Sequence, residues 1–154
     1  MNTLNQKTSN IQIISLSFLG DVLLALYIYF VYSTPSFLGP LVKKAIVLNG
    51  ASDQMDQGSL SMLEQQLQQI AHKSLLSGIG FIIILHLIIY YCFFKGKAFA
   101  KNYVYSYAIM AVIGAIIAFV LGLTSFEASS LFFIVWGGLY FIVFKIFKAA
   151  KNKE

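Results

Sequence analysis

Residues 11 to 32, IQIISLSFLGDVLLALYIYFVY, form an apolar run of membrane-spanning length that holds one carboxylate, Asp21, close to its midpoint. Asp21 cannot be moved into water by shortening the run, because Val22 to Tyr32 is only about 16 Å of helix, roughly half of a 30 Å hydrocarbon core. A carboxylate at this depth costs on the order of 2.5 to 3.5 kcal/mol on insertion scales. Asp21 is therefore expected to face protein, water or a partner. The alternative is a helix displaced outward, with Asp21 at the inner interface.

Three further apolar runs have the length of a membrane span: residues 74 to 94, 103 to 123 and about 128 to 147. The chain is 58% hydrophobic and 11% charged, with a mean hydropathy of +0.77, so it has too few polar residues to coat a soluble globule. The sequence predicts an all-α polytopic membrane protein. Four transmembrane helices are expected to form an antiparallel bundle, and residues 1 to 154 a single transmembrane domain.

The lysines predict the orientation of the spans. All eleven basic residues are lysines, and a cytoplasmic N-terminus places eight of them inside: Lys7, three within 95 to 102 and four within 145 to 153. The outer side then holds three lysines within 33 to 73 and none in the turn over 124 to 127. The positive-inside rule therefore predicts that both termini are cytoplasmic. The lack of arginine argues against nucleic-acid recognition, since bidentate guanidinium contacts are missing.

Tyrosines lie near both ends of the predicted spans. Those assigned to the outer interface are Tyr27, Tyr29 and Tyr32, and those assigned to the inner interface are Tyr90, Tyr91, Tyr103 and Tyr105. Their amphipathic rings suit the level of the headgroups, so they are predicted to form interfacial aromatic belts.

The outer loop, residues 33 to 73, is the one sizeable segment between spans. Pro40 is expected to begin a short helix through residues 40 to 48, because proline suits the first turn of a helix. Asn49 and Gly50 follow and should end that helix. Its apolar character suggests that it lies on the membrane surface or against neighbouring helices.

A second outer helix is predicted to continue into the second span. Ser61 and Glu64 have capping-box spacing, and no proline or other stop follows, so one helix is expected over 62 to 94. The two outer helices then form a short hairpin that extends the second span. An outer amphipathic face, opposite four glutamines, is formed by Leu63, Leu67 and Ile70. This face is predicted to pack on the first outer helix or on a second subunit. Packing within the chain is favoured because the face is too short to specify a coiled coil.

Asp21 and His86 are predicted to be neighbours inside the bundle. Asp21 lies about 15 Å, and His86 about 12 Å, from the inner ends of their spans. A hydrogen bond between them would offset much of the insertion cost of each side chain. The functional hypothesis is a proton-responsive pair, since histidine titrates near neutrality. The structural hypothesis, a static polar clamp, is favoured because the spans carry no second acid and no continuous path of polar groups.

Small residues mark possible close contacts between helices. The third span carries a small-xxx-small ladder formed by Gly114, Ala118 and Gly122, assigned either to the bundle or to a subunit contact. In the fourth span, Gly137 and Gly138 adjoin the large ring of Trp136, which suggests packing of a large side chain against small ones.

The sequence contains no metalloprotease motif, catalytic triad pattern, phosphate loop or motif diagnostic of a family. No metal site and no cofactor is expected. Our leading hypothesis is a small non-enzymatic integral membrane protein that acts by assembly, as a homo-oligomer or as a subunit of a larger inner-membrane complex. The alternative is a proton- or ion-conducting oligomer with Asp21 and His86 lining the route. The expected partners are the lipid bilayer and copies of itself or other membrane subunits. Lysine-only usage suggests an AT-rich genome and hence a bacterial plasma membrane.

Overall fold

The fold consists of helices throughout the described part of the chain. The computed structural model describes residues 3–50, 55–123 and 129–151, and no strand occurs among them. The all-α prediction is therefore confirmed. The helices are α1 (Thr3–Tyr32), α2 (Pro35–Leu48), α3 (Gln57–Phe94), α4 (Ala98–Leu123) and α5 (Ser129–Lys151).

Four helices, α1, α3, α4 and α5, are long and apolar enough to cross a membrane, as the four predicted spans required. Helix α3 has 38 residues without interruption. At about 1.5 Å per residue it is roughly 57 Å long, nearly twice the thickness of a hydrocarbon core. Its first turns, which carry the glutamines, therefore extend beyond any core that its apolar half spans.

The turn between α3 and α4 is shorter than the sequence suggested. Helix α4 begins at Ala98, although its span was predicted from residue 103. Gly96 has φ +76°, and the N–H of Lys97 bonds the carbonyl of Cys92, so the chain reverses within three residues. Only glycine adopts this left-handed conformation without strain. The turn predicted over 124 to 127 lies outside the described residues.

Helix α2 begins at Pro35, so the prediction of a start at Pro40 is wrong. The carbonyl of Thr34 accepts hydrogen bonds from Phe37 and Leu38, and Pro35 occupies the first turn, where its missing N–H costs nothing. Pro40 lies inside the helix. Helix α2 ends at Leu48, and Asn49 and Gly50 follow it as expected, with φ +68° at Gly50.

Helix α3 begins at Gln57, so the capping box predicted at Ser61 is also wrong. Oδ1 of Asp56 accepts a hydrogen bond of 3.1 Å from the N–H of Ser59, which makes Asp56 the N-cap. Hydrogen bonds from Ser59, first from its side chain and then from its backbone N–H, lower the pKa of the Asp56 carboxyl below its ordinary value, because they stabilise the charged form. Ser61 lies inside the helix and donates to the carbonyl of Gly58.

The chain divides into two compact units, Met1–Leu24 with Ile83–Glu154, and Ala25–Ile82. In the first unit, α4 packs against α5, and the core includes Ala108, Ala111, Tyr140 and Val143. In the second unit, which we call the outer unit after the predicted outer loop that it contains, α2 buries Gly39, Val42 and Ile46. A single transmembrane domain remains a prediction.

Candidate functional site

Asp21 lies on α1 in the interior of the first unit, with 7% of its surface exposed. Its Oδ2 is 2.7 Å from Nδ1 of His86, which lies on α3 and is 4% exposed. The structure thus brings together the two polar residues that the sequence singled out. An isolated buried carboxylate or imidazole is costly, and their hydrogen bond removes much of that cost.

Two tyrosines complete the surroundings of the carboxylate. The hydroxyl of Tyr90, one turn after His86 on α3, donates to Oδ2 of Asp21. The hydroxyl of Tyr140, on α5, lies 2.5 Å from Oδ1 of Asp21 and 3.0 Å from the carbonyl oxygen of Ser17. Both carboxylate oxygens are therefore hydrogen-bonded to side chains of this chain.

His86 has a partner at its second nitrogen as well. Nε2 lies 2.9 Å from the hydroxyl of Tyr103 on α4. The imidazole ring also packs edge-on against Tyr107, with 4.8 Å between ring centroids. We call Asp21, His86, Tyr90, Tyr103 and Tyr140 the Asp21 cluster. It joins side chains of α1, α3, α4 and α5.

Gly20 makes room for this arrangement. A Cβ atom at Gly20 would lie 2.6 Å from Cε2 of Tyr140, closer than real Cβ atoms come to other atoms. Nε1 of Trp136 donates to the carbonyl of Gly20 at 3.1 Å. Without a side chain at residue 20, the Tyr140 ring reaches across α1 to the carboxylate of Asp21.

Sequence reasoning missed several members of this site. Tyr90 was assigned to an interfacial aromatic belt, but it is 5% exposed and contacts the carboxylate. Tyr103 was assigned to the same belt, but its hydroxyl contacts His86. Tyr140 and Gly20 were not among the predicted site residues. A signal existed in Tyr90, which follows His86 by four residues and so lies on the same face of α3.

The Tyr140 hydroxyl lies between two oxygens that can accept its proton. It has one hydroxyl proton and lies within hydrogen-bond distance of Oδ1 of Asp21 and of the carbonyl oxygen of Ser17, which can only accept. The hydroxyl can therefore donate fully to only one of these two oxygens at a time.

The cluster leaves one buried polar atom without a partner. Among the residues that the structure describes, none hydrogen-bonds the Oγ of Ser17, which is fully buried. The same described residues contain no group of three His, Cys, Asp or Glu side chains that could hold a metal ion. The chemistry available in the cluster is hydrogen bonding and the transfer of protons.

The predicted packing glycines fall into different environments. A Cβ at Gly137 would lie 2.5 Å from the Cβ of Ala115, so α5 approaches α4 closely there. A Cβ at Gly114 or Gly138 would meet nothing within 4 Å, and both residues are exposed. Neither of these two glycines makes a close helix contact within the described part of the chain, because α4 turns its alanine face toward α5. Ala118 is half-buried, and the surroundings of Gly122 lie outside the description.

The outer amphipathic face is only partly covered. Leu63 and Leu67 are half-buried, but Ile70 is 59% exposed, so the described part of this chain does not cover the whole face. Polar side chains of α3 meet α2 instead. Nζ of Lys43 lies 3.8 Å from Oε1 of Glu64, and Gln68 borders Gly39.

The function has to be inferred from this geometry. Comparison of the chain with protein-family models, curated proteins and solved structures finds no match. The strongest features are a buried, fully paired carboxylate and an uncovered glycine on α4.

Proposed function

We propose that this chain is a non-enzymatic integral membrane protein that acts by assembly, as a homo-oligomer or as a subunit of a larger inner-membrane complex. Its four membrane helices form an antiparallel bundle, and α2 with the start of α3 forms a short outer hairpin. Both termini face the cytoplasm of a bacterial cell, as the lysine distribution favours. The partners are the lipid bilayer and other membrane helices.

The observation that carries this proposal is the exposure of Gly114 on α4, away from the alanine face that packs in the core. Ala108, Ala111 and Ala115 are buried in the core of the first unit. Gly114, on another face, is exposed, and nothing in the described part of the chain lies within 4 Å of its missing Cβ. Small residues on a lipid-exposed face allow another backbone to approach closely, which is how many membrane helices associate.

In this proposal the Asp21 cluster is a polar clamp that holds the helices in register. Its hydrogen bonds join α1 to α3 and α5, and α3 to α4. Because each ionisable group in it has a partner, the helices can remain in lipid without an exposed charge. The clamp therefore makes the assembling surface rigid.

The test is Gly114→Ile, with the protein kept in mild detergent or in lipid nanodiscs. A bulky side chain should separate two contacting backbones, so the oligomer or complex should dissociate while the monomer keeps its helicity and thermal stability. Gly138→Ile is the matched control, since Gly138 is equally uncovered but lies on α5. Light scattering measures the mass of the protein particle and so gives its assembly state. Wild-type protein that stays monomeric and captures no membrane partner would contradict the proposal.

A second candidate function is a proton- or ion-conducting oligomer, and the hydrogen-bonded path through the cluster favours it. The path runs from Tyr140 through Asp21 and His86 to Tyr103. It ends at the carbonyl of Ser17, which has no proton to pass on. A single copy therefore lacks a continuous relay, which places this function second.

Conduction is tested by proton flux into liposomes that contain the purified chain. Asp21→Asn removes the titrating carboxyl but retains hydrogen-bonding capacity, so it should abolish a pH-dependent flux and leave assembly intact. Equal flux from wild-type protein, the variant and empty liposomes would exclude this function.

A further inference from the structure

The outer unit contains a cavity that neither the Asp21 cluster nor the Gly114 face uses. Its volume is about 320 Å³, at the lower end of the range for small-ligand pockets. One wall is formed by Ser33, Pro35 and Leu38. The other is a face of α3 that carries three glutamines followed by His72 and Lys73. The sequence presented these glutamines simply as the polar face of an amphipathic helix.

The cavity has an excess of positive charge. Among the residues that line it, Lys73 and His72 are basic and none is acidic. The neighbouring acid, Glu64, is already engaged, since it accepts from Nε2 of Gln68 at 3.2 Å and lies 3.8 Å from Nζ of Lys43. Lys73 therefore has no carboxylate partner within the cavity. An anion placed there meets no negatively charged side chain that would repel it.

The cavity lies at the polar ends of two candidate spans. Ser33 directly follows the end of α1 at Tyr32, and Lys73 directly precedes the apolar run over 74 to 94. The ring of Tyr29 lies 6.0 Å from that of His72, and tyrosine is enriched at the membrane interface. The phosphates of lipid headgroups lie at this level.

We propose that this cavity binds the phosphate of an anionic phospholipid. Lys73 supplies the charge, and the amides of Gln65 and Gln69, both exposed on the same face of α3, donate hydrogen bonds to phosphate oxygens. The apolar atoms of Pro35 and Leu38 suit the glycerol and acyl parts of such a molecule. Free phosphate shares the recognised chemistry but not the apolar part. This lipid site does not depend on the assembly proposal or on the conduction proposal.

The test is native mass spectrometry of the delipidated full-length protein, titrated with phosphatidylglycerol and with phosphatidylcholine of identical acyl chains. The wild-type protein should bind phosphatidylglycerol about tenfold more tightly. Lys73→Gln should remove most of this preference, and it should weaken phosphatidylcholine binding less, because the choline cation offsets the charge of the same phosphate group. A wild-type protein without any preference overturns the proposal.

Lys44→Gln is the matched control, because Lys44 is exposed on α2, carries the same charge and does not line the cavity. It should retain the preference for phosphatidylglycerol, and an equal loss in both lysine variants would mean non-specific attraction and overturn the site. Gln69→Glu is a second variant for the case in which Lys73→Gln is poorly folded, and its added negative charge should also remove the preference. Displacement of phosphatidylglycerol by millimolar inorganic phosphate would keep the anion site and reassign its occupant to free phosphate.

Discussion

The Asp21 cluster and the outer pair of α2 and α3 each contain an acidic and a basic side chain in contact, but in opposite surroundings. Asp21 and His86 have side chains 7% and 5% exposed and 2.7 Å apart. Glu64 and Lys43 have side chains 28% and 68% exposed and 3.8 Å apart. A buried pair is costly to break, whereas a solvated pair contributes little. The same kind of contact therefore has different consequences in the two regions.

The two regions also differ in the space around a buried glycine, which is crowded in the Asp21 cluster and open in the outer unit. A Cβ at Gly20 would overlap Tyr140, whose ring is held by hydrogen bonds to Asp21 and Ser17. A Cβ at Gly39 would lie 3.5 Å from Nε2 of Gln68, an ordinary contact with the end of a flexible side chain. The packing around Asp21 in the first unit leaves no space for a methyl group at Gly20. The outer unit can accept one at Gly39, because the neighbouring side chain is flexible.

The largest expected effect comes from Asp21→Ala. Loss of the carboxylate leaves Nδ1 of His86 and the hydroxyl of Tyr90 without their partner in the interior and leaves Tyr140 only the carbonyl of Ser17. This should lower the free energy of unfolding by about 3 to 5 kcal/mol. Unfolding in mixed detergent micelles measures it. Glu64→Ala, the outer counterpart, should lower the free energy by less than about 1 kcal/mol. Equal losses at the two sites would remove the contrast between the regions.

A smaller effect is expected from Gly20→Ala. The added methyl group displaces the Tyr140 ring and weakens its bond to Asp21, at a cost of about 1 to 3 kcal/mol in unfolding free energy. Gly39→Ala should be neutral or stabilising by up to about 1 kcal/mol, since alanine favours the helix more than glycine does. Thermal unfolding followed by circular dichroism compares the two. A destabilised Gly39→Ala variant would show that the outer unit is packed as tightly as the cluster.

The Lys43–Glu64 contact should contribute less still. A double-mutant cycle with Lys43→Met and Glu64→Gln is expected to give a coupling free energy below about 1 kcal/mol. Because the contact is partly solvated, this coupling should decrease further when the salt concentration rises to 1 M. A coupling that is large and independent of salt would indicate a desolvated pair.

The smallest effect concerns Asp56 and the pH. The pKa of the folded carboxyl is below its ordinary value of 3.8, so the stabilisation of the first turn of α3 is present above that value and is lost as the pH falls through the folded pKa. The protection of the Ser59 amide, which donates to Asp56, against hydrogen exchange should therefore decrease in acid, relative to the intrinsic exchange rate at each pH. Asp56→Ala should show fast exchange at every pH, after correction for the intrinsic exchange rate. Slow exchange in the variant would mean that another group caps the helix.

Local patterns predicted the elements more reliably than they predicted their ends. The end of α1 at Tyr32 and the uninterrupted course of α3 into the second span followed from proline placement and from apolar run length. The start of α3 was wrong because Ser61 and Glu64 match a capping box that Asp56 and Ser59 pre-empt by five residues. Aspartate and serine are about equally favoured at the N-cap position, so local sequence does not rank the two overlapping capping signals.

The sequence by itself determined that the chain has four apolar helices and that Asp21 and His86 each need a partner, because the cost of a polar group in lipid depends only on its depth and chemistry. Only the tertiary structure decided which groups meet them. Tyr90 and Tyr140 reach Asp21 because of the rotation of α3 and α5 about their axes and because Gly20 has no side chain. Likewise α4 turns its alanine face, and not Gly114, toward α5. Helices that are apolar all round have no hydrophobic face to set their rotation, so close packing and interhelical hydrogen bonds select it.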